Sequence, residues 1–214
     1  LILDCVRQEP ANPWACTALS GMLLGANDPT AAEAAANRAL AHLPDYSLAL
    51  EARGLARMRL GKNAAALADL AGSFAHAATA RKALAIGLLY DDAERPGEAE
   101  EWLARAAAAA PEDAEVLNGY GTWLARRRGP AAGLPWFERA TALAPGSADV
   151  RVNLGLARLA LGDARGVDDV RRASAAARED ATVFYRAVLG LARAGREEAA
   201  LDLLATEGDA TGER

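Results

Sequence analysis

Residues 113–146 read DAEVLNGYGTWLARRRGPAAGLPWFERATALAPG. The stretch reads as one helical hairpin: a first helix to about Arg128, a turn at Gly129-Pro130, a second helix to about Ala144, and a closing Pro145. Gly121 lies on the first helix and small Gly133 and Ala140 on the second, with Trp123, Leu124, Trp136 and Phe137 around them. A glycine in mid-helix costs about 1 kcal/mol relative to alanine, so its placement needs a reason. The close approach of a neighbouring helix supplies one.

Working outward, the same arrangement returns along the whole chain. Gly54, Gly87, Gly121 and Gly155 are spaced 33, 34 and 34 residues apart. Pro10, Pro44, Pro111 and Pro145 are spaced 34, 67 and 34, and 67 is two units with one residue lost. A period of this length marks a stacked helical array, which grows one unit at a time. The units predicted are 12–44, 45–78, 79–112, 113–146, 147–179 and 180–206. Residues 1–11 are expected to hold the second helix of a truncated repeat, and 207–214, EGDATGER, a disordered tail too poor in apolar residues to pack. Unit five is one residue short, with the deletion expected in its turn. Pro135 falls inside the second helix of unit four, which is therefore expected to begin late or to kink. No strand alternation is present, and the expected fold class is all-α.

Composition narrows the function. Apolar residues make up 52% of the 214 residues but aromatics only 5%, because alanine carries most of the load. A formal net charge of −5 argues against nucleic acid, which asks for a basic face. Only Lys62 and Lys82 of the 24 basic residues are lysine, and this arginine, alanine and glycine bias suggests a GC-rich bacterial genome. No apolar run is long enough to span a bilayer. Cys5 and Cys16 fall where the repeat wants a small buried residue and read as reduced core thiols. The chain opens without methionine and already in register, so it reads as a segment of a longer protein. A cytoplasmic location is expected.

Catalytic chemistry is missing from the pattern. His42 and His76 each stand alone near the end of a second helix, without a metal-type partner at useful spacing. The glycines follow the repeat, not a phosphate-cradling motif, and none of the five serines sits in a nucleophile elbow. Asp91-Asp92 and Asp168-Asp169 point in different directions on a helix and read as solvated turns. Trp102 and Trp136 occupy matching places and read as packing between repeats. No enzyme activity, cofactor or metal is expected of this segment.

The residues Tyr120-Gly121, Leu124, Gly133, Phe137, Ala140 and Pro145, with Leu154-Gly155 in the next unit, resemble the tetratricopeptide repeat (TPR) pattern in its bacterial form. Unit one departs with Leu19-Ser20, unit two with Arg53-Gly54 and unit six with Ala187-Val188. The resemblance implies a right-handed α-α superhelix, or solenoid, of about six hairpins and a partial N-terminal one. It also implies a concave groove, lined by first helices, that holds a peptide or helix of a partner protein. The residues expected there are Leu55, Arg59, Arg81, Leu84, Leu88, Asn118, Thr122, Arg126, Val152, Asn153, Leu156, Tyr185, Leu189 and Arg193. Leucines along the centre with arginines beside them suit an amphipathic helix or an apolar segment with acidic flanks. Several of the leucines read equally well as inter-repeat core. Two alternatives stay open: a substrate-recruiting arm of a larger enzyme such as a bacterial glycosyltransferase or sulfotransferase, and an envelope scaffold. No polar capping helix is evident at either end, so self-association through the ends of the array is expected.

Overall fold

In the computed structural model, residues 12–177 and 180–211 are described, without the side chains of 206–211. The chain divides into two compact units, Leu1–Ala109 and Ala110–Arg214. Every element in the described residues of both is a helix or a short connection between helices.

Among its described residues the first unit holds three hairpins: α1 (Pro13–Gly25) with α2 (Pro29–His42), α3 (Ser47–Arg59) with α4 (Asn63–His76), and α5 (Ala80–Asp92) with α6 (Pro96–Ala109). Within it α3 packs on α1 and α2, and α5 packs on α4. The second unit repeats the scheme: α7 (Ala114–Arg128) with α8 (Pro130–Leu143), α9 (Ala148–Ala160) with α10 (Arg165–Ala176), and α11 (Ala181–Arg193) with α12 (Glu197–Thr211). There α9 lies on α7 and α8, and α11 on α9 and α10.

Local chemistry sets where helices start and stop. The Asn12 side chain accepts hydrogen bonds from the Trp14 and Ala15 amides at 3.1 Å, and Pro13 follows at a position that needs no donor. Asp28, Thr79, Asp113, Ser147 and Asp180 cap their helices in the same way. Four hairpin turns carry a glycine at positive φ; Asn27 and Glu94 take the left-handed conformation in the other two, at φ 58° and 57°.

The register glycines sit at the helix crossings. A Cβ on Gly54 would stand 2.7 Å from Leu70 Cγ, and one on Gly87 would stand 2.6 Å from Leu103 Cγ. In the second unit glycine faces backbone: a Cβ on Gly133 would meet the Gly121 carbonyl oxygen at 2.5 Å, and one on Gly166 would meet the Gly155 carbonyl oxygen at least as closely. The nearest residue lies sixteen positions on from Gly54 and Gly87 and fifteen from Gly121 and Gly155, while the facing glycine lies twelve on from Gly121 and eleven on from Gly155. The glycine-to-glycine spacing thus contracts across the stretch that includes the turn of the Gly155 hairpin. Where unit one has Ser20 instead of glycine, its buried hydroxyl donates to the Ala32 carbonyl at 2.8 Å, so the polar group crosses the interface satisfied.

Two features differ from the sequence reading. Pro135 does not delay its helix, because α8 already begins at Pro130 with only Gly129 between it and α7. Pro135 sits inside α8, exposed, at the cost of one backbone donor. At the C-terminus α12 continues to Thr211, past the boundary at 206. The expected helix over 1–11 lies outside the described residues, as do 212–214.

Candidate partner-binding surface

The first helices of the second unit bring four of the fourteen expected groove residues together. An open recess of about 250 Å³ lies between α7, α8 and α9, lined by Thr122, Ala125, Arg126, Pro130, Phe137, Asn153, Leu156, Ala157 and Ala160. Thr122, Arg126, Asn153 and Leu156 all belong to the sequence-derived set. The floor is apolar, formed by Phe137 and the alanines, and one cation and two neutral polar groups stand among the lining residues. No carboxylate lines it.

A chain of side-chain hydrogen bonds runs beside the recess. Asn153 Nδ2 donates to Asn118 Oδ1 at 2.9 Å and lies 3.4 Å from Thr122 Oγ1. Asn118 Nδ2 donates to Asp149 Oδ2 at 3.1 Å, and Arg186 pairs with the other oxygen of Asp149. The chain thus ties α7 to α9 and α9 to α11. A buried amide such as Asn118 fixes the rotamers of its partners because leaving it unsatisfied is costly. Asn118 and Asn153 stand one position apart in the repeat, yet they meet. The sequence offered both asparagines but not Asp149 or Arg186.

The remaining expected residues divide by burial. Tyr185, Leu189 and Arg193 are exposed on α11, and Leu156 packs against Gly190 of that helix. Val152 is fully buried in the core with Val170, Phe184 and Leu191, so it offers no surface to a partner. Leu84 and Asn118 are also buried. The reason is common to all three: each lies three residues before the register position, and in Val152 that face is covered by α11 of the following hairpin. In the first unit Leu55 and Leu88 are half-buried and Arg81 is exposed. The Arg59 guanidinium donates to the Leu24 carbonyl at the end of α1, where the helix dipole favours a cation.

Several charged groups are placed where a sequence reading does not look. Lys82 is only 2% exposed; its ammonium donates to the Ala77 carbonyl at 2.9 Å and pairs with Glu51 Oε2 at 2.9 Å. Asp69 is buried and receives Arg53 through two bonds of 2.9 and 2.7 Å and Arg57 at 2.7 Å. This explains Arg53 before Gly54, where the other units favour an apolar residue. Arg57 also holds Glu33, as does Lys62 at 2.6 Å; the Lys62 hydrogen bond, followed by that of Arg57, keeps the Glu33 carboxyl below the usual glutamate range. Asp169 and Arg158 repeat the Asp69–Arg57 pair at 2.7 Å. A signal was available: arginine three places after Gly54 and Gly155, and an aspartate before the large residue opposite. The solvated-turn reading is corrected for both aspartate pairs, since Asp91 and Asp169 are buried and only Asp92 and Asp168 are exposed.

Other sequence expectations can be located. Trp102 packs edge-to-face on Phe74 of the preceding hairpin at 5.0 Å, with Arg105 over both rings, whereas Trp136 meets Tyr120 of its own hairpin at 4.7 Å. His42 and His76 are exposed in the last turns of α2 and α4. Cys16 is buried, and Cys5 lies outside the described residues. Among the described residues no three His, Cys, Asp or Glu side chains converge as a metal ion would need, and no helix is long and apolar enough to cross a membrane.

No protein-family model matches the chain, and no curated protein matches it by sequence. Solved structures do match. Cut9–Hcn1, a hetero-tetramer of the APC/C, aligns with a TM-score of 0.80 at 18% identity over 100% of this chain and 42% of that one. This chain therefore spans less than half the length of that relative. TTC0263, a thermophilic TPR protein of Thermus thermophilus, aligns at 0.72 and 19% identity over 84% of this chain and 98% of its own. YrrB, a TPR protein, aligns at 0.56 and 17% identity over 85% and 94%. At such identities the likeness is one of fold. The chain has the fold of the tetratricopeptide repeat proteins, an all-α array of helical hairpins in the solenoid class.

Proposed function

We propose that this chain is a protein-interaction scaffold and that it holds a peptide or helix of a partner over the α7–α9 recess. The carrying observation is the recess itself: Thr122, Arg126, Asn153 and Leu156 converge there on an apolar floor with no carboxylate in the lining. Such a surface takes an apolar side chain, and Arg126 favours acidic flanks on the same segment. Exposed Tyr185, Leu189 and Arg193 on α11 extend it. YrrB is described as having an unusual peptide-binding site and Cut9 is found assembled with Hcn1, which supports a binding role for the same fold here. The scaffold works without catalysis of its own, in a bacterial cytoplasm, and its ends add a route to self-association.

The test is affinity capture from native cell extract with the wild-type chain and with Arg126→Glu/Arg193→Glu. Both residues are exposed, so the double variant still folds by circular dichroism, with a small loss of melting temperature because glutamate in the last turn of a helix opposes its dipole. It loses most of the partner recovered by the wild type. Equal recovery by a folded variant refutes the placement of the site.

A further inference from the structure

The hydrogen-bond chain beside the recess has a direction, and one carboxylate sets it. A carboxylate only accepts, so Asp149 turns the Asn118 amide until Nδ2 faces it, 3.1 Å from Asp149 Oδ2. Asn118 Oδ1 is thereby left facing Asn153, where an oxygen asks for a donor. Asn153 answers with Nδ2 at 2.9 Å. Thr122 enforces the same outcome independently. Its hydroxyl has one proton, spent on the Asn118 carbonyl at 2.8 Å, so toward Asn153 Nδ2, 3.4 Å away, its oxygen can only accept. Turning the Asn153 amide over would set its oxygen against two acceptors.

Asn153 therefore reaches the recess with its donors used and its acceptor left over. Among the described residues Oδ1 receives no hydrogen bond, and it is not one of the buried unpartnered atoms, so water reaches it. Thr122 shares the lining but has no proton to spare. Phe137, Leu156 and Ala157 beside them are apolar. What this corner lacks is a donor attached to something apolar.

We propose that Asp149 is a positioning residue that sets the hydrogen-bond polarity of the recess. Acting through Asn118, it makes Asn153 take an N–H from the partner and turn away a carbonyl or carboxylate at that atom. The occupant that fits is an extended peptide segment, with an apolar side chain over Phe137 and Leu156 and its main-chain N–H on Asn153 Oδ1. The interior of a helix has no such N–H to give, because each is already bonded four residues back. The inference rests on the recess being the partner site and adds which group the site selects.

Two small amides test it by NMR on the whole chain with isotope-labelled side chains. N-isopentylacetamide carries a leucine-like group and one N–H; in N-methyl-N-isopentylacetamide a methyl replaces that hydrogen. In the wild type, shifts at Thr122, Asn153 and Leu156 are expected to saturate at about three- to tenfold lower concentration of the first amide, the worth of one neutral hydrogen bond. In the free chain the Asn153 amide hydrogens exchange with water more slowly than those of exposed Asn37, whose oxygen rather than nitrogen is engaged. Asp149→Asn, which lets the Asn118 amide face either way, brings the two probes to near-equal affinity and speeds that exchange. Arg186→Met removes the other partner of Asp149 but leaves it facing Asn118, and keeps the preference, which a merely structural role of Asp149 would not. Circular dichroism checks that both variants fold, and the wild-type measurements decide without either. Equal binding of the two amides to the wild type, or a preference that survives Asp149→Asn, overturns the proposal and leaves the recess standing as the site. Absence of any shift at the recess removes the site itself, and this inference with it.

Discussion

Changing glycine to alanine at position 133 and at position 21 adds the same methyl group to two helices and is expected to move stability in opposite directions. In an isolated helix the change stabilises by about 0.5–1 kcal/mol, through the entropy of the unfolded chain. Gly21, in the middle of α1, has no atom within 4 Å of where its Cβ would stand, so the gain is realised. Gly133 has the Gly121 carbonyl oxygen at 2.5 Å, the Ala125 methyl at 2.8 Å and the Phe137 ring at 3.0 Å. The first of these is helix backbone and cannot rotate away. Overpacking of this kind costs about 1–3 kcal/mol, and a backbone neighbour puts it in the upper half of that range. After the propensity gain the net loss is about 1–2 kcal/mol. With a urea m-value of about 2 kcal/mol/M, Gly133→Ala lowers the midpoint by about 0.5–1 M and Gly21→Ala raises it by about 0.3–0.5 M. Urea titrations followed by circular dichroism at equal protein concentration read both shifts. A Gly133→Ala midpoint at or above the wild-type value would refute the helix-crossing argument for the register glycines.

Two further predictions concern charge. Lys82→Ala removes the cation from a buried pair and leaves Glu51 without it, a loss of about 3 kcal/mol at the low end for broken buried pairs because Glu51 keeps some solvent access. Lys82→Met keeps the volume and sheds the cost of burying an ammonium, so it loses less; thermal melts in which methionine is the worse substitution would contradict this. Glu33 titrates lower in the folded chain than in the unfolded one. Its contribution to stability is therefore complete above the usual glutamate pKa and is lost as pH falls through the lower folded value. Glu33→Gln should flatten the stability profile on that acid side and leave its slope near neutrality unchanged, as urea midpoints at a series of pH values will show.

The repeat was legible because small residues at helix crossings and prolines after second helices obey a fixed period, which packing imposes directly on sequence. Four of the nine residues lining the recess were named from the sequence, through the resemblance and not through the period. Thr122, Arg126, Asn153 and Leu156 are first-helix residues to which the resemblance assigns a groove, and the recess gathers them. Val152 and Leu84 share that spacing but are covered by packing, and leucine or valine serves either role. Burial of Lys82 was not legible at all, and that of Asp69 only through the arginine three places after Gly54 that recurs after Gly155. Their partners, Glu51 and Arg53 with Arg57, come from a different helix, and each side chain alone looks like solvated surface. The Asn118–Asn153 contact escaped because the period pairs only like positions of successive repeats. Adjacent first helices instead bring together positions one residue out of step.

The scarcity of lysine turns the pair at Glu51 into a built-in clock. Lys62 is about half exposed, whereas Lys82 lies sealed between α3 and α5. A slow acylating reagent therefore modifies Lys62 from the folded chain, and it modifies Lys82 only while that seam is open. The ratio of the two labels, read by mass spectrometry, measures how often the first unit breathes.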